Sequence, residues 1–91
     1  MKSIMQEEPR CFVCGRSQGL ELHHVMSGTA NRTLSTEYGL VVMLCADHHR
    51  GKNGVHSDYA LKNHLEQSAQ LAFEQVYGHT KWMEVFRKNY L

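Results

Sequence analysis

The sequence predicts a small α+β domain with a two-stranded hairpin, a short helix and a C-terminal helical extension. Three observations predict this class: two Cys/His pairs separated by 30 residues, a segment of alternating apolar and polar residues, and an apolar helical face in residues 58–77. The 91 residues show no repeat or linker, so we expect one domain. Residues 1–9 are expected to be disordered, 10–56 to form the core, and 57–91 to be helical.

The composition restricts the class of protein. The net charge is only +1, so a nucleic-acid role must be inferred from a site and not from overall charge. The longest apolar run, residues 40–46, is far shorter than the roughly 20 residues of a membrane span. Three cysteines cannot all pair within one chain, and no apolar signal peptide precedes them. We therefore expect a cytoplasmic protein without a membrane partner.

The first half of the chain predicts a hairpin with a long connection. Residues 20–25 alternate as a half-buried strand does, and residues 40–44 are apolar as in a buried strand that pairs antiparallel with the first. The intervening residues, 26–39, are turn-rich and polar, which predicts a loop with one helical turn after Ser35. A short helix opens near Cys45 and is ended by the glycines at 51 and 54.

The second half predicts two helices. Residues 58–77 form the longer one, with Ser57 or Asp58 as N-cap and Gly78 at the C-terminal end. Its predicted buried face consists of Leu61, Leu65, Ala69, Ala72 and Val76. A final helix over residues 81–88 should dock Trp82, Val85 and Phe86 against it.

The cysteines predict a structural zinc site. Cys11 and Cys14 form one C-x2-C pair, and Cys45 and His48 form a second pair of the same spacing. Together they supply the Cys3His set that tetrahedral zinc favours, and such a zinc would contribute directly to folding.

Four further histidines predict a second metal site of a different kind. His23, His24, His49 and His56 lie in the same part of the chain and include no thiolate. A metal held by two or three protein nitrogens keeps open positions for water or a phosphate oxygen, as a hydrolytic metal requires.

These residues lie in a pattern that resembles the HNH endonuclease family. The segments are LELHHV at 20–25, GLVVMLCADHH at 39–49 and GVH at 54–56, and the cysteine pairs resemble the zinc-containing, phage- and mobile-element-associated branch. The resemblance implies a ββα-metal fold and hydrolysis of DNA phosphodiester bonds with one divalent ion, which could be Mg2+, Mn2+, Ni2+ or Zn2+. It also implies that the protein acts in the cytoplasm of a bacterial or phage-infected host cell.

The resemblance also assigns roles. His23 matches a metal ligand, His24 the general base that takes a proton from water, and His49 and His56 the two remaining ligands. His49 and His56 are seven residues apart, too far for one uninterrupted helix, so Asn53 is a rival to His56. We favour His56, because Gly51 and Gly54 can end the helix and fold the chain back, and imidazole is the better ligand for a transition metal. The family's middle Asn has no clear counterpart here, and Asn31 is a candidate substitute.

The sequence is compatible with several kinds of partner and with two other functions. The basic residues Arg32, Arg50 and Lys52 flank the expected site and are candidate phosphate contacts on DNA. A homodimer or a protein partner is compatible with so small a chain. The alternative function is a non-catalytic, zinc-stabilised module that binds nucleic acid or protein. A two-zinc structural cluster is a less favoured third hypothesis.

Overall fold

The fold is built around a short antiparallel hairpin. The structure, a computed structural model, describes residues 2–91. Strand β1 pairs with β2 in a register that places Leu20 opposite Cys45 and His24 opposite Val41. The elements in chain order are β1 (Leu20–His24), α1 (Thr29–Tyr38), β2 (Val41–Cys45), α2 (Ala46–His49), α3 (Tyr59–Tyr77) and α4 (His79–Phe86). The predicted α+β class, with a hairpin and helices, is therefore confirmed.

The two strands bury different kinds of residue. In β2 every residue except Met43 is buried, which agrees with its continuous apolar sequence. In β1 successive side chains point to opposite faces, so Glu21 and His23 share the face next to α2, and Leu22 and His24 share the other. The hairpin thus presents a polar pair directly to the helix that follows it.

The connection between the strands is a helix and not the predicted loop. Helix α1 spans ten residues and ends at Gly39, whose left-handed φ of 72° lets its N–H reach the carbonyls of Ser35 and Thr36. The apolar signal of this segment is weak, because Leu34 and Tyr38 pack against the core but are only partly buried, and Ser35 is the one buried residue of α1. Its helical conformation comes from tertiary contacts and the glycine cap.

Residues 2–9, expected to be disordered, form no helix or strand but make hydrogen bonds to the hairpin. The backbone N–H of Ile4 donates to the carbonyl of Gly39 at 2.9 Å, and the Ser3 hydroxyl donates to the carbonyl of Val41. The side-chain oxygen of Gln6 accepts from the N–H of Met43. An exposed strand edge leaves such backbone groups unpaired, and this segment covers them. Met1 lies outside the described residues.

Helices α3 and α4 form the predicted C-terminal extension. Asp58 caps α3 by accepting a hydrogen bond from the N–H of Leu61 at 3.2 Å. The buried face runs through Leu65, Ala69 and Phe73, whereas Val76, predicted as buried, is 60% exposed. Residues spaced four apart along α3 bury the face that contacts α4 through Phe73. Helix α4 starts at His79, two residues earlier than predicted.

The aromatic contact between these helices closes the core. The rings of Phe73 and Trp82 have centroids 5.2 Å apart, and those of Trp82 and Phe86 are 4.2 Å apart. The indole N–H of Trp82 donates to the carbonyl of Lys88, which holds the C-terminal segment against the helices. Within residues 2–91, no helix has both the length and the apolar composition needed to cross a bilayer.

Candidate metal centres

The four predicted zinc ligands come together in space. Their ligand atoms lie within 4.8 Å of one another. The Sγ atoms of Cys14 and Cys45 are 3.8 Å apart, and His48 Nδ1 lies 3.8 Å from Cys11 Sγ and 3.3 Å from Cys45 Sγ. Four ligands at about 2.3 Å from a tetrahedral ion stand ~3.8 Å from each other, so this arrangement fits a metal ion.

Local backbone structure positions each of these ligands. A tight turn carries Cys11 and Cys14: the N–H of Gly15 donates to the carbonyl of Cys11, and Gly15 has a φ of 81° that favours glycine. The N–H of Phe12 donates to the carbonyl of Met43 and docks this turn on β2. Cys45 is the last residue of β2, and His48 follows in α2. The cluster therefore joins the N-terminal turn to the end of the hairpin.

The thiols have opposed electrostatic environments. Burial alone would raise the pKa of Cys11, but backbone N–H groups, those of Cys45, Cys14 and Val13, lower it to about 6. The backbone N–H of Arg16 lowers the pKa of Cys14, but desolvation and the neighbouring Cys11 and Cys45 outweigh it and raise the pKa. Several thiolates at this spacing require a cation, which a bound metal would supply.

A second cluster contains only imidazoles. His23 comes from β1, His49 from α2 and His56 from the turn region after α2, and one nitrogen of each lies within 4.8 Å of the others. The ring centroids are 5.2 Å apart for His23 and His49, 5.6 Å for His23 and His56, and 5.1 Å for His49 and His56. The structure thus brings together the three histidines predicted as ligands of a second ion.

Two glycines allow His56 to reach the cluster despite the seven-residue spacing. Helix α2 ends at His49, and the chain turns back so that the N–H of Val55 donates to the carbonyl of His48 at 2.9 Å. A Cβ on Gly54 would lie 2.8 Å from the carbonyl oxygen of His49, and one on Gly51 would lie 2.7 Å from that of Asp47. Only glycine permits this close backbone approach.

The rival ligand Asn53 has a different location. Both Asn53 and His56 are exposed, but of the two only His56 is among the described residues that line the cleft over the cluster. The geometry therefore favours His56 over Asn53 as the third member.

The imidazole cluster forms part of the wall of an open cleft of about 460 Å³, which His24 and Arg32 also line. Burial, followed by the charges of His49 and His56, lowers the pKa of His23 to about 4. His23 is consequently neutral at neutral pH, which is the form that binds a metal. Burial and the charge of Arg32 also lower the pKa of His24, which keeps this ring able to accept a proton.

Glu21 is a site residue that the sequence analysis missed. Its Oε1 lies 2.7 Å from His49 Nδ1, and because a carboxylate can only accept, the ring proton belongs on Nδ1 and Nε2 is left for a metal. Hydrogen bonds from Arg50, then from His49, hold the pKa of Glu21 below its usual range. The alternation of residues 20–25 does put Glu21 on the same face as His23, which was the available signal.

The three predicted phosphate contacts are in different situations. Arg50 binds both carboxylate oxygens of Glu21, at 2.9 Å from Nε and 2.6 Å from Nη2, so its guanidinium is already engaged. Arg32 is exposed and lines the cleft, whereas Lys52 is exposed outside the lining residues. Asn31, the candidate for the middle Asn, lies half-buried in the first turn of α1 and is not among the residues that line the cleft.

Removal of the Glu21 carboxylate is expected to lower the affinity of the imidazole cluster for a metal ion selectively. In Glu21→Ala, His49 loses the partner that fixes its tautomer and ring orientation, so affinity for Ni2+ at the imidazole cluster should fall roughly 10–100-fold. Calorimetric titration of Ni2+ into protein loaded with zinc at the cysteine cluster measures this affinity. Glu37→Ala, which removes an exposed carboxylate of α1, is the control and should bind as wild type does. Equal affinities in Glu21→Ala and wild type would contradict the role of Glu21.

Comparisons of the chain with protein-family models, curated proteins and solved structures give no match. The function therefore has to be inferred from the chemistry of the two clusters.

Proposed function

We propose that this chain is a metal-dependent endonuclease of the HNH type that hydrolyses phosphodiester bonds in DNA. The observation that carries the proposal is the convergence of His23, His49 and His56 in a cleft that His24 also lines. Three imidazole ligands leave coordination positions free, as hydrolytic metal sites do. The imidazole of His24, which lines the same cleft, is the proposed proton acceptor.

The two clusters are proposed to hold different ions. Thiolates with one imidazole favour a structural zinc at Cys11, Cys14, Cys45 and His48. The imidazole cluster is proposed to hold one exchangeable divalent ion, Mg2+, Mn2+, Ni2+ or Zn2+. When bound, this ion would stabilise negative charge on the phosphate and on the departing 3′ oxygen.

The side chains around the cleft have complementary roles in the proposal. His24 takes a proton from the attacking water, since its lowered pKa keeps the ring neutral near neutral pH. Arg32 lines the same cleft, and its guanidinium would hold a backbone phosphate of the DNA. Glu21 keeps His49 oriented, and Arg50 holds Glu21 in its charged form.

The decisive variant is His24→Ala. Wild-type protein with Mg2+, Mn2+, Ni2+ or Co2+ is expected to nick supercoiled plasmid, and His24→Ala to lose this activity because no base remains for the attacking water. General base catalysis typically supplies roughly 100–10,000-fold in rate. Since His24 is not a member of either cluster, both ions should stay bound. His64→Ala, which removes an exposed imidazole of α3, is the control and should nick normally.

The rival function is a binding module without chemistry. The net charge of +1 and the engagement of Arg50 by Glu21 favour it. Metal counting separates the two functions, because a module needs only the structural ion, whereas the nuclease binds a second, exchangeable one that His23→Ala removes. Wild-type and His24→Ala proteins that are equally inert with every metal, on both duplex and branched DNA, would refute the nuclease.

A further inference from the structure

Ser35 is a fully buried polar residue of α1 with an unusual set of partners. Its hydroxyl oxygen lies 3.1 Å from the backbone nitrogen of Met26, from which it accepts, and 3.3 Å from the carbonyl oxygen of Met26, to which it donates. Its own carbonyl accepts from the N–H of Leu40 at 2.8 Å. One residue therefore ties together the exit of β1, helix α1 and the start of β2.

The segment held by Ser35 directly follows His24. Strand β1 ends at His24, and the N–H of Val25 then donates to the carbonyl of Leu40 at 3.0 Å. Met26 is fully buried, and together with Ser27 it lines the cleft that contains His24. The Ser35 hydroxyl thus bonds both backbone groups of Met26, two residues after His24.

We infer that Ser35 is a positioning residue, whose hydroxyl fixes the Met26 backbone and thereby sets His24 against the imidazole cluster. This inference rests on the proposed nuclease function. Without the hydroxyl, the buried N–H and carbonyl of Met26 lose their partner, and the segment must move to satisfy them. A displacement of about 1 Å in a reacting group can cost roughly 100-fold in rate.

The experiment compares Ser35→Ala with Thr36→Ala. Thr36 is the adjacent, exposed residue of α1, and its hydroxyl donates to the carbonyl of Arg32 within the helix. In Ser35→Ala, kcat for plasmid nicking should fall about 10-fold or more while KM changes less than about twofold. Both metal ions should remain bound, and the Met26 amide should exchange its hydrogen faster than in wild type. Ser35→Thr, which keeps the hydroxyl, should recover most of the lost kcat.

Metal content and circular dichroism establish that each variant is folded. If Ser35→Ala is not, Ser35→Cys takes its place, because it nearly preserves the volume and offers only a weak hydrogen-bonding group. An active wild type with Ser35→Ala indistinguishable from Thr36→Ala would overturn this inference alone. Equal losses in Ser35→Thr and Ser35→Ala would also overturn it, since packing would then be the cause. An inert wild type would overturn the proposed function and this inference with it.

Discussion

Replacement of Cys45 with serine is expected to release the proposed zinc and unfold the hairpin. Cys45 is buried at the end of β2, and its Sγ is within 3.8 Å of Cys14 Sγ and 3.3 Å of His48 Nδ1. A structural zinc contributes about 10–16 kcal/mol in small zinc domains. A domain of this kind is stable by only about 5–15 kcal/mol in total. Zinc analysis and thermal circular dichroism should show a metal-free chain without a cooperative transition.

The matched control for this variant lies between two of the ligands. Asp47 is exposed in α2, between Cys45 and His48, and it is not a member of the cluster. Asp47→Ala should therefore retain one zinc and a cooperative thermal transition. A folded Cys45→Ser protein that contains no metal would show that the apolar core suffices for folding, and would contradict a structural role for the cluster.

Replacement of His56 with alanine is expected to remove the proposed exchangeable ion and the proposed nuclease activity, while the fold and the proposed zinc remain. His56 is exposed, so its truncation removes little buried surface. It provides one of three nitrogens, so the affinity for Ni2+ should fall by more than the roughly 10–100-fold typical of a residue that only orients a ligand. Titration of zinc-loaded protein and plasmid nicking measure the two effects.

Asn53→Ala is the paired variant, because Asn53 is the other candidate for the same ligand position. It is exposed, and the described residues that line the cleft do not include it, so its removal should leave metal affinity and nicking unchanged. If Asn53→Ala lost the ion and His56→Ala kept it, the ligand assignment would be reversed. If both kept it, the imidazole cluster would not be the metal site.

The candidate ligands could be predicted from sequence because they belong to rare residue types at short spacings. Cys11 with Cys14, and Cys45 with His48, form pairs whose geometry is set by a single turn or a few residues of backbone. The role of Glu21 was not predictable in the same way. Glutamate is common on exposed strand faces, and its partners His49 and Arg50 lie 28 and 29 residues away in sequence.

The elements of the fold also divide into those with a local sequence signal and those that depend on distant contacts. The hairpin and α3 follow from apolar periodicity and from the cap at Asp58, which are local signals. Helix α1 buries only Ser35, and the N-terminal segment is held by Ser3 and Gln6 at the edge of β2. The contacts of the N-terminal segment leave no apolar pattern, and α1 has only a weak one in Leu34 and Tyr38, so the sequence did not reveal either feature.

By itself, the sequence identified the candidate metal ligands, because cysteine and histidine side chains at short, regular spacings are typical of metal sites. The glycines at 51 and 54 already favoured His56 over Asn53, and the tertiary structure shows the close backbone approach at Gly54 that brings His56 to His23 and His49. It alone engaged Arg50 with Glu21 and buried the hydroxyl of Ser35 against Met26. The physical reason is that such contacts join common residues across long sequence separations, and only packing of the whole chain brings them together.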